Sequence, residues 1–123
     1  MQIIHTEKAP EAIGPYSQAM LAEGLLFTSG QIAINPESGT VEAETIEGQA
    51  EQVMKNLGAL LEAAGSGFDR VVKTTCFLAD MGDFAAFNAV YERYFTGRPA
   101  RSCVAVRQLP KNVLVEVELI AET

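Results

Sequence analysis

Apolar and polar residues change their rhythm several times along the chain. In the first third, short runs rich in apolar and β-branched residues, "QIIHT", "SQAMLAE" and "LLFTSGQIAI", predict three strands, with Gly24 marking the turn between the last two. The Asn, Pro and Gly of "NPESGT", residues 35 to 40, predict a turn. From residue 45 to 64 the period lengthens: Ile46, Ala50, Val53, Leu57, Leu60, Leu61 and Ala64 recur three and four apart, as one face of a helix requires, and Gly65 is its expected stop. "VVKTTCFLAD" returns to β-branched residues and predicts a strand. A second helix is expected from about Asp83, with Phe84, Phe87, Tyr91, Tyr94 and Phe95 on neighbouring positions and Gly97 and Pro99 ending it. Strands over 101–108 and 113–121 close the chain.

Three strands, a helix, a strand, a helix and two strands make an α+β fold around one sheet, with two helices to cover one face. The strands themselves ask for more. In the last one Val113, Val115, Val117 and Leu119 share one side, while Leu114, Glu116, Glu118 and Ile120 share the other. In the strand before the second helix, Val72, Thr74, Cys76 and Leu78 alternate with Val71, Lys73, Thr75 and Phe77, so neither side reads as plainly solvated. A second cover is expected from another copy of the chain, which predicts a homo-oligomer with Glu116 and Glu118 at or near the subunit boundary.

Composition narrows the function. A chain of 123 residues is expected to form a single domain, residues 1–123, and 48% hydrophobic with 20% charged residues is ordinary for a folded protein. Nine Lys and Arg against sixteen Asp and Glu give a net charge of −7, which weighs against nucleic acid as a partner. The amino terminus lacks a basic segment followed by a long apolar stretch, and no run approaches about 18 apolar residues, so a cytoplasmic protein with no membrane partner is expected. Two cysteines, Cys76 and Cys103, and one histidine, His5, support neither a disulfide framework nor a protein-held metal.

Against that background a few charged and polar residues stand out. Arg101 opens a strand, and its planar five-donor fork suits a carboxylate or phosphate; the alternative is a surface arginine paired with one of the many acids, with Arg98 and Arg107 as neighbouring competitors. Glu116 could act as a general base or position a water, since partial removal from water raises a carboxylate's pKa, but Glu118 shares its parity. Cys103 lies two residues from Arg101; a nucleophile there would still need a base, and a small buried residue whose backbone lines a pocket is the better reading. "GPYS" and "TSGQ" place Tyr16 and Ser29 beside glycines, where backbone can approach a ligand, and Asn88 lies on the aromatic side of the second helix.

In order and spacing, "AIGPYSQA", "FTSGQIAINPESG", "VVKTTCFLADMGDFAAFNAVYERYF" and "PARSCVAVRQLPKNVLVEVELIA" resemble the Rid family, the reactive intermediate deaminases, and within it the RidA subfamily. The resemblance implies a chorismate-mutase-like fold, six strands backed by two helices on one face, and a homotrimer with its sheets packed inward. It implies a 2-iminobutanoate/2-iminopropanoate deaminase, hydrolysing enamines and imines released by pyridoxal-phosphate enzymes to 2-oxo acids and ammonia, without a cofactor. Arg101 would then grip the substrate carboxylate and Glu116, the first glutamate of "VEVE", would orient or activate the attacking water. Tyr16, Ser29, Asn88 and Cys103 would line the pocket, with the Cys103 backbone meeting the imine nitrogen and Gly30 keeping room beside Ser29. Two departures fall beside Arg101: the connection "FTGRPARS" is shorter than in many RidA members, and Arg98 stands where an aromatic residue usually precedes the proline. A trimeric module binding 2-oxo acids without catalysis is the rival reading, and a ribonuclease or translation inhibitor a second.

Overall fold

The structure, a computed structural model, describes all of residues 1–123. Its strands are β1 (Gln2–Ile4), β2 (Ala19–Ala22), β3 (Leu25–Thr28), β4 (Ile34–Asn35), β5 (Thr40–Val41), β6 (Val71–Leu78), β7 (Ala100–Ala105) and β8 (Val115–Glu122), with helices α1 (Ile46–Ala63) and α2 (Phe84–Tyr94). Six strands form one mixed sheet in the order β1-β2-β3-β8-β6-β7, antiparallel except for the parallel pair β6 and β7; β4 and β5 make a separate hairpin.

The connectivity dictates where the helices lie. Parallel strands need a crossover, and right-handed crossovers are the rule. The step from β3 through α1 to β6 and the step from β6 through α2 to β7 advance across the sheet in the same direction. Equal handedness and equal direction put both helices on one face. There Val53, Leu57, Leu60 and Leu61 of α1 and Phe87 and Val90 of α2 pack on Cys76, Leu78, Val115, Val117 and Leu119, all buried. Thr45 caps α1, its hydroxyl accepting from the Gly48 N–H at 3.1 Å, an arrangement worth about 1 kcal/mol.

The other face has no cover from this chain. Ile3, Met20, Phe27 and Ile120 are register partners across β1, β2, β3 and β8 and form an apolar row, with Ile3 63% and Phe27 41% exposed. No helix is long and apolar enough to cross a membrane.

Several boundaries differ from the sequence pattern. "LLFTSGQIAI" is not one strand: β3 stops at Thr28, Gln31 makes an isolated bridge to Val117, and Ile34 begins the small hairpin around the predicted turn. The last two strands occupy 100–105 and 115–122 rather than 101–108 and 113–121. In β6 the register shifts between Val71 and Lys73, so Val71 is buried and Val72 exposed, the reverse of simple alternation.

Candidate active site

Arg101 and Cys103 lie on the helix-covered face, because they are the register partners of the buried Thr74 and Cys76. The Arg101 guanidinium sits over the Tyr91 ring at 4.7 Å and the Phe84 ring at 5.4 Å, and Nη1 donates to Asn88 Oδ1 at 2.7 Å. Tyr91 is itself fixed by a 2.7 Å bond between its hydroxyl and Thr74 Oγ1. The aromatic stripe of α2 thus forms a platform that orients the arginine. No carboxylate pairs with it; the ion pairs of the chain are His5–Glu11 and Arg93–Glu51. Arg101 is thus a guanidinium fork without a carboxylate partner, held by a neutral amide and two rings, an arrangement that suits an anion. Its competitors Arg98 and Arg107 are exposed. The side-chain oxygen of Asn88, on the aromatic side of α2 as the sequence predicts, holds Arg101.

Glu116 lies on the opposite face of the sheet, as the partner of Phe77. It is half-buried and helps line a cavity of about 350 Å³ together with Tyr16, Ser29, Gly30, Ile32 and Pro110. Loss of water around it raises its pKa above the usual carboxylate range, and the Glu118 charge two residues away adds to the rise. Glu118 is exposed and does not line the cavity, which separates two glutamates that parity could not. Gly30 leaves room for Glu116 as it stands: a Cβ on it would fall 2.1 Å from Glu116 Oε2, and the carboxylate would have to move. The Ser29 hydroxyl donates to Ser17 O at 2.6 Å, and its N–H donates to Gln18 O at 2.9 Å. Tyr16 is 50% exposed, its hydroxyl accepting from the Ile13 N–H at 3.4 Å.

Residues that the sequence pattern did not single out shape this cavity. Buried Gln18 receives the Thr6 N–H at 2.8 Å, while its Nε2 donates to the carbonyls of Thr6, Ala9 and Pro10 at 3.0, 3.2 and 2.8 Å. It pins the strap before β2 that carries Pro10, Ile13 and Tyr16 to the cavity wall. Asn56 of α1, fully buried, does the same for the opposite wall by donating to Ile32 O and Ile34 O at 3.2 and 2.9 Å. Asn56 falls three residues after Val53 and four before Leu60, so an amide at the edge of the apolar stripe is the signal that could have found it.

The predicted site residues therefore fall into two groups within one chain. Asn88, Arg101 and Cys103 lie at the β7 edge on the helix side; Tyr16, Ser29, Gly30 and Glu116 gather around the cavity. β6 lies between β8 and β7, so the two backbones are about 10 Å apart before the opposed faces are counted.

Residues 6–123 match the family described as Endoribonuclease L-PSP. The chain belongs to that family. A RutC family protein of Synechocystis is 56% identical over 98% of this chain and 95% of its own length, and the mouse 2-iminobutanoate/2-iminopropanoate deaminase is 47% identical over 98% and 90%. Among solved structures, a candidate endoribonuclease of Thermotoga maritima superposes with a TM-score of 0.97 at 51% identity, covering 100% of this chain and 98% of that one. Escherichia coli TdcF with bound serine gives 0.95 at 41% identity, covering 100% and 99%. The RidA resemblance read from the sequence is in keeping with these members of the L-PSP family.

Proposed function

We propose that this L-PSP family chain is a cytoplasmic 2-iminobutanoate/2-iminopropanoate deaminase, a hydrolase acting on small imines and enamines that carry a carboxylate. The observation that carries this reading is the pairing of two unlike half-sites: an arginine fork with no carboxylate partner, and a half-buried glutamate whose pKa is raised, beside a cavity. Three chains with sheets packed inward, in the chorismate-mutase-like manner, would cover the open apolar face and bring the β7 edge of one chain to the Glu116 cavity of the next.

In that cleft the substrate carboxylate docks on Arg101. An imine carbon is already electrophilic, more so with its nitrogen protonated, so water needs only positioning and modest base help. Glu116 takes a proton from the attacking water, and the carbon becomes a carbinolamine. Proton transfer to nitrogen then lets ammonia leave as the carbonyl of the 2-oxo acid forms. The raised pKa suits Glu116 to this work, because a stronger base accepts the proton more readily. No cofactor enters the reaction. The name of the family points instead to RNA cleavage, but the net charge of −7 favours a small substrate.

The test generates 2-iminopropanoate in place with a pyridoxal-phosphate dehydratase or an amino-acid oxidase and follows its loss with and without the protein. Faster loss, abolished in Arg101→Ala, is expected. A second reading, a binding module for small carboxylates, has its own support in the serine bound to the Escherichia coli relative, since serine offers a carboxylate and no imine. Binding of such ligands without turnover of any imine would select it.

A further inference from the structure

The two cysteines of the chain are left without a role by the proposed chemistry, which uses only the backbone of Cys103. They are not scattered. Cys76 of β6 and Cys103 of β7 are direct register partners on neighbouring parallel strands, with side chains on the same face and both thiols free. Their Cα atoms are one strand spacing apart, about 4.8 Å, inside the roughly 4.4–6.8 Å range that a disulfide spans. The pair lies directly beneath the arginine platform: the Cys76 thiol reaches Thr74 Oγ1 at 3.9 Å, Thr74 bonds the Tyr91 hydroxyl, and the Tyr91 ring carries Arg101.

We propose that Cys76 and Cys103 are a modification site, oxidised by peroxide to a reversible intrachain disulfide that disables the Arg101 half of the cleft. The effect on activity rests on the deaminase reading; the thiol chemistry does not. Cys103 is the entry point, being half-buried where Cys76 is completely buried. Burial pushes both thiols up, Cys76 to about 12, and the Arg101 charge opposes the rise at both. The Cys103 thiol attacks hydrogen peroxide, giving a sulfenic acid and one water. Cys76 sulfur then displaces the hydroxyl, forming the S–S bond and releasing a second water. Two thiols are oxidised by two electrons, and one peroxide is reduced to two waters.

The spacing also explains why such a bond would be a switch and not a staple. Neighbouring strands lie at the short end of the disulfide range, so closure strains β6 against β7 and makes the bond easy to reduce. The strain acts two residues from Arg101 and on the backbone of Cys103 itself.

The experiment treats the intact protein with hydrogen peroxide, then reads free thiols, intact mass and imine hydrolysis. Expected is loss of both thiols with a mass decrease of about 2 Da per chain and no cross-linked chains. Activity should fall at least tenfold and return with dithiothreitol. Cys76→Val, which replaces a small buried residue by another, should retain activity before treatment and lose the 2 Da change. Two persisting thiols, oxygen added to Cys103 with Cys76 intact, or cross-linking between chains would each overturn the disulfide. A disulfide with undiminished activity would overturn the switch. If untreated protein hydrolyses no imine, the deaminase reading is what fails. The switch is then read on 2-oxobutanoate binding by titration calorimetry: weaker binding by the oxidised form supports it, and unchanged or absent binding overturns it.

Discussion

The two faces of the sheet solve different problems with the same strands. On the helix side every functional group is braced: Arg101 rests on Tyr91 and Phe84 and bonds Asn88, and Tyr91 bonds Thr74. On the open side Glu116 borders a cavity whose walls are irregular segments, held from behind by the amides of Gln18 and Asn56. The first face presents a finished anion fork; the second presents a base in a half-built room beside an exposed apolar row. In this account one chain carries both parts of a site while holding them apart, and assembly is a condition of activity.

Removing the fork should have the largest effect. Arg101→Ala is expected to lower kcat/KM about 10³-fold, in line with about 2–5 kcal/mol for one partner of a desolvated charge pair, without loss of fold, since β7 is an edge strand. Steady-state kinetics with circular dichroism checks both halves of that statement. Glu116→Gln should cost about 10²-fold or more in kcat, the usual scale of general-base help. Stability should move the other way. A carboxyl whose folded pKa is raised binds more protons folded than unfolded, so wild-type stability falls as pH rises from about 4.5 through the folded value. Glu116→Gln should lack that fall, and urea titrations at pH 4 and pH 7 would show it.

Breaking the open face comes next. Phe27→Asp should shift the protein toward monomer in analytical ultracentrifugation and lower activity in proportion to the oligomer lost, while the helix-covered core and its circular dichroism persist. Asn88→Ala removes one bond to Arg101 and leaves the ring platform, so roughly a tenfold rise in KM with little change in kcat is expected. The smallest effect belongs to Glu118→Gln. Its charge adds to the raised pKa of Glu116, so the acid limb of the pH–rate profile should move to lower pH.

The sequence made the fold legible where chemistry repeats and obscure where it does not. Seven apolar positions at helical spacing announced α1, and the alternating valines of β8 separated its two faces. The displaced register at Val71 and Val72 carried no such mark, because a bulge is a backbone event between two similar residues. The end of β3 at Thr28 was hidden for the same reason: apolar residues resume at Ile32 for the hairpin, and not for the strand. Within the site, the resemblance alone distinguished Arg101 from Arg98 and Arg107 and Glu116 from Glu118, and in the folded chain it is Glu116 that lines the cavity. Gln18 was missed because its partners are carbonyls of a strap without regular structure.

The most direct measurement co-expresses Arg101→Ala and Glu116→Gln, each nearly inactive alone, and assays the purified mixed oligomers. If every cleft takes its arginine from one chain and its glutamate from the next, random assembly makes about a quarter of the clefts intact, and about a quarter of wild-type activity returns. If both residues of a working site come from the same chain, every site carries one defect. Mixed oligomers as inactive as the parents would contradict the account.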